Sequence, residues 1–175
     1  MLIRETFTDG WKLKETEGEK VYDVSIPASV LSVLLENGDI EDPFYRDNEK
    51  KCMALFEKDY EFTRTFAASG DITREDEVDL VFYGIDTLAD IYLNGKRLSY
   101  TSSMHRVYRF PIKDKLNSGA NEIRVVLHSP LNYIKEYIPE KNKEIKYIPS
   151  GCMAGNQYIR KAHSSFGWDW GPKLP

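Results

Sequence analysis

Ala89-Asp90-Ile91-Tyr92-Leu93-Asn94-Gly95-Lys96-Arg97-Leu98-Ser99 decides the fold of this chain. Ala89, Ile91 and Leu93 alternate with more polar neighbours, the period of a strand with one buried face. Asn94-Gly95 then supplies two residues able to take the positive φ angles of a two-residue hairpin turn. A second strand is expected to begin at Lys96.

The same alternation recurs on both sides. Tyr60, Phe62 and Phe66, then Val78, Leu80 and Phe82, then Ile123, Val125 and Leu127 each read as a half-buried strand. Trp11 to Glu15, Val21 to Ile26 and Val107 to Ile112 are further strand candidates, and Asn117-Ser118-Gly119 is turn chemistry. One clear helix is expected over Val30 to Leu35, with Ser29 as N-cap and Asn37-Gly38 as its stop. Leu131, Ile134 and Tyr137 allow another helical turn or two, whereas the acidic stretch Asp71 to Asp79 reads as a solvated loop entering a strand. Many short strands with one or two short helices imply an all-β antiparallel sandwich, and a jelly roll suits the strand count.

At 175 residues, 41% of them apolar, the chain has the size and composition of one domain spanning residues 1–175. Its 24 basic and 28 acidic residues are interspersed, so no basic face argues for a nucleic-acid partner. The start, Met1-Leu2-Ile3-Arg4-Glu5, is too charged for a signal peptide, and no stretch is apolar for the roughly 20 residues of a membrane span. A cytoplasmic protein is the resulting expectation. Cys52 and Cys152 read as free thiols.

His105, His128 and His163 match no metal-ligand spacing with each other or with the cysteines, so no metal site is expected. Gly151 to Gly155 lacks the Lys-Ser/Thr of a phosphate loop, so no nucleotide or other cofactor is implied. Ser164 and Ser165 beside His163 lack the surroundings of a nucleophile elbow. The ending Gly167-Trp168-Asp169-Trp170-Gly171-Pro172 is more telling. Two indoles around a carboxylate offer an apolar face for the C–H groups of a pyranose and a charged acceptor for its hydroxyls. The plainer account has the tryptophans in the core and Asp169 as a turn former. Arg160-Lys161 reads as a docking or salt-bridging pair.

Ile26-Pro27-Ala28-Ser29-Val30, Gly38 through Glu49, Gly84 through Gly95, Gly119-Ala120-Asn121-Glu122, Arg160-Lys161-Ala162 and Phe166 through Pro172 occur in one order along the chain. Together they resemble the N-terminal domain of β-mannosidases of the β-galactosidase-like glycoside hydrolase group, over nearly the whole length. The resemblance implies a galactose-binding-domain-like jelly roll that docks on a catalytic (β/α)₈ barrel elsewhere in the parent. It implies that Asp169 hydrogen-bonds hydroxyls of the terminal non-reducing mannose of a β-mannoside or manno-oligosaccharide, with Trp168 and Trp170 walling that pocket. Retaining hydrolysis needs two carboxyl groups about 5–5.5 Å apart. The family supplies both from the barrel, so no catalytic residue is expected here. Departures from the pattern are Ala28, Ser103-Met104-His105 and Lys51 through Phe56. The family's roll is completed by a strand after the Gly-Pro, so this chain is expected to be truncated before its final strand.

Two other functions fit the same residues: a free-standing carbohydrate-binding module, since jelly rolls host lectin sites, and a purely structural domain whose tryptophans are core or interface.

Overall fold

Leu13, Phe62, Val125 and Ile91 stand side by side as direct partners on four neighbouring strands, and all four are buried. This row is the alternation of the sequence laid across a sheet. The computed structural model describes residues 2–137, 153, 155–168 and 171–175. Among them the strands are β1 (Trp11–Glu15), β2 (Val21–Val24), β3 (Tyr60–Ala67), β4 (Asp79–Phe82), β5 (Leu88–Leu93), β6 (Lys96–Ser102), β7 (Tyr108–Pro111) and β8 (Ala120–Leu127). The helices are α1 (Val30–Glu36), α2 (Glu49–Cys52), α3 (Gly70–Arg74) and α4 (Pro130–Tyr137). One antiparallel sheet has the order β2-β1-β3-β8-β5-β6, and β4 pairs with β7 in a second. Leu80 of β4 and Ile112 share one core with Trp11, Leu13, Phe62 and Ile91, so the two sheets face each other as a sandwich of jelly-roll type.

The hairpin between β5 and β6 turns on Asn94 (φ 51°) and Gly95 (φ 75°), as the sequence implies. Asn94 also reaches a second turn. Its amide donates to the Lys115 carbonyl and to Asn121 Oδ1, both at 2.9 Å, and its Oδ1 accepts from Glu122 N at 2.9 Å. Buried Asn121 donates in turn to the carbonyls of Asn117 and Gly119 and accepts from Asn117 N. Every polar atom of this amide pair has a partner, which allows it to lie inside the fold.

Helix α1 carries its expected cap. Ser29 Oγ accepts from Ser32 N and Ser32 Oγ accepts from Ser29 N, both at 3.0 Å, and Gly38 (φ 71°) follows the helix in the left-handed region. Two expectations change, and a helical stretch is added. β2 stops at Val24 rather than Ile26, before Pro27, which has no N–H for a ladder. The acidic stretch begins as helix α3 because Ser69 Oγ accepts from Ile72 N at 3.3 Å. Residues 49–57 are helical, α2 running into a 3₁₀ turn at Met53–Glu57 that buries Cys52. Burial pushes the Cys52 thiol pKa up, and the thiol is free; Cys152 lies outside the described residues.

Arg64 is the odd member of the inner face, lying in register between Trp11 and Ile123. Its guanidinium covers the Phe7 ring at 4.7 Å, while Nε and Nη1 are buried without a hydrogen-bond partner among the described residues. An apolar cavity of about 1100 Å³ separates the sheets, reached by Phe62, Phe66, Leu80, Phe82, Leu174 and Pro175.

On the outer face His128 follows β8 and bridges two carboxylates. Its Nδ1 is 2.8 Å from Asp59 Oδ2 and its Nε2 is 3.0 Å from Asp90 Oδ2. Asp59 also accepts from Ser129 N at 2.7 Å, and Asp90 from Arg97 Nε at 2.6 Å. Burial of the ring pushes its pKa down, but the bonds and charges of Asp59 and Asp90 outweigh this and hold it above 6.5.

Two tests follow from this packing. A histidine with a raised folded pKa stabilises fully below its unfolded pKa and loses that contribution as pH rises through the folded value. Thermal midpoints measured from pH 5.5 to 9 are therefore expected to fall with rising pH more steeply in the wild type than in His128→Gln, beginning at about 6.5. In urea denaturation, Leu13→Ala is expected to lower stability by roughly 2–5 kcal/mol, the usual range for a fully buried leucine. Exposed Val21→Ala should change it by less than about 0.5 kcal/mol.

Candidate functional site

Phe166 is 0% exposed and packs with Leu88, Ile134 and Ile159 in a second core beneath α4 and the start of β5. It is the anchor of the tail. Its carbonyl accepts from Met153 N at 2.8 Å, and it forms an antiparallel bridge with Lys173. Leu174 N donates to the Ser165 carbonyl at 3.0 Å, and Lys173 N to Glu49 Oε2 at 3.2 Å. The base of the loop between Phe166 and Lys173 is thus fastened to the second core and to α2.

Gly167 explains why the motif opens with glycine. Its φ is 81°, and a Cβ there would lie 2.6 Å from Lys173 Cγ and 3.3 Å from the Gly171 carbonyl oxygen. A side chain would be strained by the backbone and would collide with the other end of the loop. Trp168, next along, is 47% exposed, and its ring meets that of His163 edge-on at 5.7 Å between centroids. Of the three residues singled out by sequence, the structure places Trp168 at the surface; Asp169 and Trp170 lie outside the described residues.

The tail is also pinned from the side. Lys161, its side chain only 10% exposed, pairs with Asp86, which accepts from Thr87 Oγ1 as well. The salt-bridging reading of Arg160-Lys161 therefore holds for Lys161. The Asp86 side chain is 41% exposed, so it is the covered Lys161 that would be left with an unmatched charge if the pair were broken. Arg160 projects outward while its backbone bridges Ser103 and accepts from Met104 N at 3.1 Å. Ala162 N lies 3.0 Å from Met104 Sδ, completing the seam between tail and β6–β7 connection.

That connection is itself braced. Tyr108 OH donates to the Ser103 carbonyl at 2.9 Å and accepts from Ser103 N at 3.1 Å, while His105 N donates to Ser103 Oγ at 3.3 Å. Between the two segments opens a polar cleft of about 470 Å³ with His105, Asn156, Gln157, Arg160 and His163 on its walls. His163 makes no hydrogen bond with Ser164 or Ser165 among the described residues, so they form no nucleophile and base. Nor do the described residues hold a group of three or more His, Cys, Asp or Glu able to take a metal ion.

Sequence reading missed the Lys161–Asp86 tie, the cleft and the His128 bridge. Each joins residues far apart in the chain, 75 positions for Lys161 and Asp86, and no local pattern announces such a pair.

The geometry fits what comparison with known proteins finds. The chain is 31% identical over 172 residues to a β-mannosidase of Capra hircus, covering 94% of this chain and 19% of that protein. It is 27% identical over 177 residues to a β-mannosidase of Mus musculus, covering 97% and 20%. The crystal structure of a β-D-mannosidase from Dictyoglomus thermophilum superposes with a TM-score of 0.84 at 36% identity, over 95% of this chain and 20% of that one. An exo-chitosanase from Amycolatopsis orientalis, at 19% identity and a TM-score of 0.60 over 70% of this chain and 16% of that one, shares the fold alone. The chain thus spans about a fifth of the length of these β-mannosidases. Residues 11–175 match the family described as the glycosyl hydrolase 2 galactose-binding domain-like domain, and this chain belongs to that family.

Proposed function

We propose that this domain belongs to a retaining β-mannosidase-like glycoside hydrolase and completes the pocket for the terminal non-reducing mannose, with Trp168 and Trp170 as walls and Asp169 as acceptor for sugar hydroxyls. One observation carries the reading: the loop from Gly167 to Pro172 is clamped at its base by Phe166, Lys173 and Leu174, yet Trp168 remains half exposed. A tryptophan serving only the core would be covered. A clamped loop with an open indole suits a task in which a sugar must meet a fixed surface.

The catalytic carboxylates, on this reading, lie in a (β/α)₈ barrel of the parent, and the isolated chain does not hydrolyse glycosides. Phe44 and Tyr45, 74% and 57% exposed, offer apolar surface for docking on that barrel. Their loop is held by Asp42, whose Oδ1 accepts from Phe44 N at 2.9 Å, and it leads to Glu49, the partner of Lys173. The apolar cavity between the sheets is the space a further strand of the parent would fill.

The test is made in the full-length protein. Asp169→Ala is expected to lower kcat/KM on an aryl β-mannoside by about ten- to a hundredfold, the loss of one charged hydrogen bond of roughly 1.5–3 kcal/mol. The thermal midpoint should stay unchanged. Asp169→Asn should fall between that variant and the wild type. Unaltered efficiency in both would sink the sugar-contact role.

A further inference from the structure

We infer that Lys161 is a positioning residue for the sugar pocket: paired with Asp86, it sets where the loop opening at Gly167 stands. The role rests on the reading of that loop as a wall of the terminal mannose site. Little slack separates Lys161 from Trp168. Ser165 N donates to the Ala162 carbonyl at 3.1 Å, Phe166 N to that of His163 at 2.9 Å and Gly167 N to that of Ser164 at 3.1 Å. Such consecutive 3₁₀-type bonds leave few free dihedrals, so a shift at Lys161 passes along the chain instead of being absorbed. The His163 ring, inside this run, meets the Trp168 indole edge-on.

Two other attachments hold the run. On one side the Arg160 backbone and Ala162 N join it to Ser103 and Met104. At its far end Phe166 packs with Leu88, Ile134 and Ile159. A body held at two points can still turn about the line between them. Lys161 supplies the third point, because its side chain reaches Asp86 in the connection between β4 and β5. Asp86 is firmly based: it accepts from Thr87 Oγ1, and the carbonyl of buried Thr87 accepts from Thr101 Oγ1 of β6 at 3.1 Å.

The chemistry of the pair suits placement better than stability. The Lys161 side chain is 10% exposed, and covering an ammonium is costly where an apolar side chain of similar volume would not be. A charged hydrogen bond offers direction and a defined length, which an apolar contact lacks. Sugar recognition needs that definition, since a small misplacement of a contacting group weakens the transition state more than it weakens the fold.

The test measures kcat/KM on an aryl β-mannoside in the full-length protein, well below the thermal midpoint of each variant. Lys161→Met keeps most of the stem and leaves only the half-exposed Asp86 unmatched, a charge that water can solvate. It is expected to lower kcat/KM about tenfold, and Lys161→Arg should recover part of the loss. Asp86→Glu keeps both charges while lengthening the link by one methylene; it should lower kcat/KM about threefold with the midpoint nearly unchanged, and it serves as the test if Lys161→Met does not fold. In an Asp169→Ala background, Lys161→Met should cost less than about threefold, because the contact it places is already gone. Unaltered efficiency in both Lys161→Met and Asp86→Glu, with Asp169→Ala impaired, overturns this inference alone. A loss from Lys161→Met that is equally large with and without Asp169 also overturns it, since the residue then acts apart from the loop. Unaltered efficiency in Asp169→Ala and Asp169→Asn overturns it together with the proposed function.

Discussion

Phe62 lies between Leu13 and Val125, with Ile91 beyond, and the molecule is organised around keeping that row in register. Side chains alternate between faces with a period of two, so a slip of one residue on any of the four strands would turn its apolar set outward. The burial lost would be of the order of several leucine equivalents, far more than any surface ion pair returns. The hairpin at Asn94-Gly95 fixes one boundary of the register, and the Asn94–Asn121 pair locks that turn to the start of β8. Outer-face pairs such as Arg124 with Glu61 follow from this arrangement without causing it.

The tail depends on the sheet in turn. Leu88, the first residue of β5, is shared between the strand and the small core that holds Phe166. Asp86, two residues earlier, holds Lys161. The register of β5 therefore decides where the tail sits, and with it the exposure of Trp168 and the walls of the polar cleft. Fold and site are coupled through two residues, Leu88 of β5 and Asp86 in the connection before it.

Much of the sandwich was legible because its signals are local. The alternation over residues 89–93, the Asn94-Gly95 turn and the Ser29 cap each act within a few residues, and each appears where it was expected. The short helices were not legible: α3 depends on one serine cap, and Glu49 to Glu57 carries no apolar period long enough to stand out. Residue types around Trp168 pointed to a sugar surface, and the string from Gly167 to Pro172 pointed to the family. Its neighbourhood could not be read in the same way. The polar cleft is assembled from residues 105 and 156–163, and the ion pair beneath it from residues 86 and 161. Such contacts are products of topology, and composition and periodicity do not encode them in any one window.

Gly167 shows how little slack this assembly has. The absent Cβ leaves room for Lys173, whose backbone N–H reaches the carboxylate that begins α2. One methyl group at position 167 would force aside the side chain of Lys173, the residue whose backbone N–H ties the end of the tail to Glu49. Two segments more than a hundred residues apart in sequence thus meet beside a space that must stay empty. Variation in either is constrained by a position that need touch neither sugar nor partner.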